Sequence, residues 1–213
     1  MTHKTHRLAP AVLVGAALIV CATARASLPA CGYEITAVIE GPQCPDALAT
    51  VYPYALNDKG QVVGNFFCPG GMSDWAFLWD EGEFIVLEPP DADADECRDI
   101  NNASQIAGTG NGPSGDEQGF FLDSDGFEFI EIPEGGNFTR ARAIGEDGMI
   151  VGFWGNWKTG DPSREAFTWR DGVITPLGEL LAQPQSIAYD VNVNGQITGY
   201  AGDSYFTDAR AFI

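Results

Sequence analysis

A stretch of ten residues recurs four times, and its spacing limits the possible folds more than any other feature of the chain. Ala55–Gly64 returns as Asp99–Gly108, Ala143–Gly152 and Asp190–Gly199, so the closing glycines stand 44, 44 and 47 residues apart. A fixed period in this range is the mark of a stacked or radial array. Each copy reads as a hairpin. A short apolar strand enters an Asn-x-x-Gly corner, as at Asn57 to Gly60, and a strand rich in Val and Ile leaves it. A glycine free to take positive φ suits a type I turn followed by a bulge. Ser104 replaces that glycine in the second copy and Gly145 replaces the asparagine in the third. The closing glycine lies inside a strand, where glycine marks a bulge or the close approach of another backbone.

Two further strands complete each unit. Trp75–Trp79, a Glu81-Gly82 turn and Phe84–Leu87 follow the first hairpin. Gly119–Leu122 with Phe127–Ile132, and Ala166–Trp169 with Val173–Leu177, follow the second and third. Four short antiparallel strands in about 45 residues is the size of a propeller blade. The fold class expected is therefore all-β, a β-propeller-like array of about four blades. The repeats cover roughly 46–89, 90–133, 134–178 and 179–213. The last copy stops at its third strand, Ala211–Ile213, while Tyr33–Ile39 alternates polar and apolar residues as a strand should. The expectation is that this N-terminal strand completes the fourth blade and hides its edge. The competing reading is an array that lacks further repeats.

The hairpins alternating with Ala-Phe-x-Trp strands resemble the extracellular HAF-repeat proteins of bacteria over roughly Tyr33 to Ile213. Trp75, Gln118, Glu165 and Arg210 stand where that family has histidine. The resemblance implies a secreted bacterial repeat protein and no particular reaction.

The first 26 residues read as a secretory signal peptide. Lys4 and Arg7 precede an apolar run from Leu8 to about Ala22, and Ala24-Arg25-Ala26 offers a small-x-small cleavage site. The mature domain is then 27–213, secreted or at the cell surface, with no membrane span. Against 11 basic residues stand 30 acidic ones, a net charge of −19. Nucleic acid and anionic membranes repel such a surface.

Both histidines, His3 and His6, fall in the leader. The mature chain therefore lacks the imidazole that Ser-His-Asp and Cys-His catalysis require, and no catalytic residue is assigned. Cys31, Cys44, Cys68 and Cys97 are expected to form disulfides in an exported protein. Cys68 is expected to pair with Cys97, with Cys44 as the alternative partner, because all three are placed on one rim. Cys31 stands at the far end of an extended strand, so a Cys31–Cys44 bridge is disfavoured. Asp91, Asp93 and Asp95 resemble the start of a calcium loop, although Glu96 stands where the turn wants glycine. No other cofactor is indicated. Phe66, Phe67, Trp154, Trp157, Tyr200 and Tyr205 follow the closing glycines on the same rim, where flat rings suit glycan stacking or protein contact. The expected function is a monomeric, non-enzymatic exported module that binds a glycan or a protein. A carboxylate-based glycoside hydrolase and a structural envelope protein are the alternatives.

Overall fold

The computed structural model describes residues 36–45, 47–71, 73–158, 163–203 and 207–213. The leader, Cys31, Tyr33 to Ile35, Tyr205 and Phe206 lie outside them. Four antiparallel meanders make up the described chain. The first is β1 (Thr50–Leu56), β2 (Val62–Phe67), β3 (Asp74–Asp80) and β4 (Glu83–Val86). The second is β5 (Asp93–Ile100), β6 (Ile106–Asn111), β7 (Glu117–Asp123) and β8 (Gly126–Phe129). The third is β9 (Phe138–Ile144), β10 (Ile150–Asn156), β11 (Ser163–Arg170) and β12 (Val173–Pro176). The fourth is β13 (Gln185–Val191), β14 (Ile197–Gly202) and β15 (Arg210–Phe212). The all-β array of repeated antiparallel sheets is thus as expected.

The N-terminal strand is not. Residues 36–39 have no regular structure, and among the described residues no strand lies beside β15. The following segment folds back on β1 instead. Ala49 N–H donates to the Pro42 carbonyl at 3.1 Å, and Gln43 bridges Leu48. Gly41 sits so close to Ala49 and Val51 that a Cβ would clash with both.

Each recurrent corner closes by the same local chemistry. In the first, Asn57 N–H donates to the Gln61 carbonyl and Gly60 N–H to the Asn57 carbonyl, with Gly60 at φ +80°. Ser104 holds the left-handed conformation at φ +65° in the second corner. Its hydroxyl donates to Gln61 Oε1 at 2.7 Å and accepts from Lys59 Nζ at 2.9 Å, so the strained serine links two repeats.

The closing glycine serves two neighbours. Gly64, Gly108, Gly152 and Gly199 pair with Phe77, Phe120, Phe167 and Phe212 on the third strand, whose rings lie across the bare α-carbons. On the other side the first strand bulges by one residue, at Tyr54, Arg98, Arg142 and Tyr189 in turn. The bulge brings a carbonyl over the glycine, from Tyr52, Glu96, Arg140 and Ile187 respectively.

The sheets then pack in chain order. Val63 and Ala76 of the first cover Cys97 and Ile100 of the second. Ala107 and Phe121 meet Ile144 of the third, and Val151 and Ala166 meet Ala188 and Val191 of the fourth. Among the described residues no comparable packing joins the fourth sheet to the first.

The disulfide joins Cys44 to Cys68, with Cα atoms 5.6 Å apart, and not Cys68 to Cys97. Cys97 is a free, fully buried thiol in the middle of β5. Of the acidic run, Asp91 lies in the turn before β5 and Asp93 to Glu96 lie in the strand, because β6 and the first sheet offer partners that override their poor β propensity. A 24-residue separation makes the crosslink worth about 3 kcal/mol in the chain-entropy account.

Candidate functional site

The bulges carry more than a kink. Tyr54, Arg98, Arg142 and Tyr189 occupy one position in four successive first strands, and each is presented by a bulge opposite a closing glycine. They meet in a row. The Arg98 guanidinium carbon lies 4.7 Å from the Tyr54 ring centroid. That of Arg142 lies 5.3 Å from the Phe153 ring and 5.6 Å from the Tyr189 ring. Contacts of this kind contribute about 0.5–1 kcal/mol each when partly exposed.

Arg142 differs from three of the other arginines in its ion pairing. Arg98 pairs with Glu96 at 2.6 Å, Arg140 with Glu117 and Arg170 with Asp147. Arg142 has no carboxylate partner among the described residues, and its buried Nε has no hydrogen-bond acceptor. Burial, then repulsion from Arg98, lowers its pKa from the usual guanidinium value. An arginine nevertheless stays charged in proteins. Glu96, already paired with Arg98, is the carboxylate whose charge reaches Arg142, so the guanidinium is half-buried with no salt bridge of its own.

An aromatic wall continues from it to the rim. Phe138 and Trp157 stack at 4.2 Å, and Arg140 and Arg164 lie over the Trp157 ring at 5.9 and 4.9 Å. Gly155 makes room for the Phe138 ring. The Trp157 backbone N–H donates to Asn137 Oδ1 at 2.9 Å, which holds the chain just past β10. A cavity of about 260 Å³ beside it is lined by Trp154, Arg164, Glu165, Gln183 and Ser186 among others. Tyr200 bonds Tyr189, their ring centroids 5.5 Å apart, and burial with that bond pushes its pKa up to about 12.

Of the expected rim aromatics, Trp157 is exposed, Trp154 lines the cavity, and Tyr200 is half-buried against Tyr189. Phe66 is buried between Trp75 and Phe84 and offers no face to a ligand. Half-buried Phe67 stacks on Tyr52, far along the chain from the arginine cluster. Arg98, Arg142, Arg164 and Tyr189 were not singled out in the sequence. Stacking the four repeats would have found the row, since the position three before each corner reads Tyr, Arg, Arg, Tyr.

Of the three candidate calcium ligands, Asp91 lies in the turn before β5 and the other two within that strand. Among the described residues no group of three or more His, Cys, Asp or Glu side chains is placed to hold a metal ion. Asp93 and Asp95 lie in β5, Asp95 at a second bulge. Burial, with repulsion from Asp93, Asp74, Glu96 and Glu117, raises the Asp95 pKa to about 6. The native state therefore binds this proton more tightly than the unfolded chain does. Stability contributed here is present below about pH 4 and is lost as pH rises to about 6. Asp95→Asn should accordingly stabilise the protein at pH 7, by about 1 kcal/mol after solvent screening, and give no gain at pH 4. Chemical denaturation at the two pH values measures the difference, and an equal effect at both would contradict it.

The chain matches no protein-family model and no curated protein. Among the described residues no helix is long and apolar enough to cross a membrane.

Proposed function

We propose that the protein is an exported, non-enzymatic binding module of propeller type. Its ligand carries a carboxylate, as an acidic glycan does, and is held at the arginine and aromatic wall of the third and fourth sheets. The observation that carries this reading is the Arg142 guanidinium, flanked by Phe153 and Tyr189 and lacking an ionic partner. The resemblance to HAF-repeat proteins, the leader-like N-terminus and the Cys44–Cys68 disulfide support export. Trp157, partly exposed between Phe138 and the arginines over its ring, supplies the readout. Titration with oligogalacturonate should quench tryptophan fluorescence, more weakly as salt rises. Arg142→Gln should weaken binding roughly tenfold, the loss of one charge-assisted hydrogen bond, without lowering the melting temperature. Unchanged affinity in that variant would contradict the assignment.

The alternative reading, a carboxylate-based glycosidase, draws on Asp95. A carboxyl with a pKa of about 6 is suited to general acid work. Release of reducing sugar that Asp95→Asn abolishes would favour it.

A further inference from the structure

The two ends of the array are left open in complementary ways. Leu56 of β1 aligns with Ile100, Ile144 and Val191, which are 4, 5 and 9% exposed, yet Leu56 itself is 71% exposed. Each of the other three packs on the sheet before it, and among the described residues Leu56 has no such sheet. Pro53, likewise exposed, aligns with the buried Cys97, Ala141 and Ala188. The opposite face tells the same story at the far end. Val63, Ala107 and Val151 are fully buried by the sheet that follows, whereas Thr198 at their position is exposed. Ala76 and Ala166 are fully buried, whereas Ala211 is exposed.

The corners show the same incompleteness as hydrogen bonds. Asn57 Nδ2 donates to the Asn101 carbonyl at 3.0 Å, and Asn101 Nδ2 to the Gly145 carbonyl at 2.9 Å. Asn192 Nδ2 reaches only Gln196 Oε1 of its own corner. Among the described residues the Asn57 carbonyl accepts only from Gly60, as the Asn192 carbonyl, which follows the Gly145 corner, accepts only from Gly195. An amide seeking a carbonyl stands at one end, and a carbonyl able to accept a second bond stands at the other.

We propose that the fourth sheet of one molecule docks on the first sheet of a second copy, and that the reciprocal contact closes a two-fold ring of eight sheets. The occupant is argued from the chain itself, since a leading face of this kind is already covered by a trailing face of this kind at three internal junctions. A head-to-tail contact that closes after two copies leaves neither face exposed. This replaces the expectation of a monomer and is independent of the ligand reading.

Sedimentation velocity of the purified protein over a concentration series tests it. The wild type should run at twice the chain mass. Leu56→Glu and Ala211→Glu each place a charge in both junctions, so each variant alone should be monomeric. Both residues are exposed in the single chain, so each variant should keep its cooperative melting by circular dichroism. An equimolar mixture of the two variants should recover a pair, because one junction then joins two unmodified faces. A monomeric wild type, a pair indifferent to Leu56→Glu, or open polymers that lengthen with concentration would each overturn the closed ring.

Discussion

Gly152→Ala should cost about 3–4 kcal/mol of folding stability and lower the melting temperature by roughly 10 °C. A β-carbon at this position would fall well within 3.0 Å of the Arg140 carbonyl oxygen, and it would also crowd the Phe167 ring. Neither neighbour can retreat cheaply. Arg140 is held in the β9 ladder next to the Arg142 bulge, and Phe167 is fully buried. β10 is a middle strand bonded on both sides, so moving it away from one partner strains the other ladder. Gly60→Ala is the informative contrast. Its φ of +80° is unfavourable for alanine, but a β-carbon there meets nothing within 4 Å. That change should cost only about 1–2 kcal/mol, the penalty for the left-handed backbone. Urea unfolding of both variants separates crowding from backbone preference. Equal losses would mean that the glycine is required for its φ and not for the space it leaves.

Asn101→Ala should cost about 3 kcal/mol, because one buried side chain satisfies four partners. Its Oδ1 accepts from the Ala103 and Gln105 amides, and its Nδ2 donates to Gln105 Oε1 and the Gly145 carbonyl. Removing it leaves these groups to find other partners in a buried setting, at about 1–3 kcal/mol for each one that fails. Asn192→Ala makes the control. That corner has the same internal bonds but is exposed and hands nothing on to another sheet. Water can replace what is lost there, so the cost should stay near 1 kcal/mol. Thermal melts that found the two variants equally destabilised would show that the bond between sheets contributes nothing.

The sequence made legible what depends on near neighbours along the chain. Asn57 and Gly60 specify a corner within five residues, and Glu81-Gly82, at φ +48° and +90°, specifies a tight hairpin. The pairing of a closing glycine with a Phe rests on two motifs that recur together in every repeat, 12 to 15 residues apart. What was hidden rests on contacts 44 residues apart. The acidic run of Asp93 to Glu96 looks like a loop, because only the strands beside it make it a strand. That misplacement also put Cys97 on the rim and the disulfide on the wrong partner. The arginine row was equally obscure. A one-residue bulge changes which face a side chain takes, and neither Arg98 nor Arg142 carries any local sign of it. Phe66 looked available for a ligand because its rim position is legible, whereas the Trp75 and Phe84 rings that enclose it come from strands on either side of a loop and a turn.

The bonds that corner asparagine side chains make to the next corner's backbone run in a single direction. In each link the side-chain amide belongs to the earlier repeat and the carbonyl to the later one, from Asn57 to Asn101 and from Asn101 to Gly145. A ribosome therefore delivers these two amides before their acceptors exist. The first two units thus each emerge with an asparagine N–H that water holds until the next corner supplies its carbonyl, whereas the third, with Gly145 in that place, hands no such bond to the fourth.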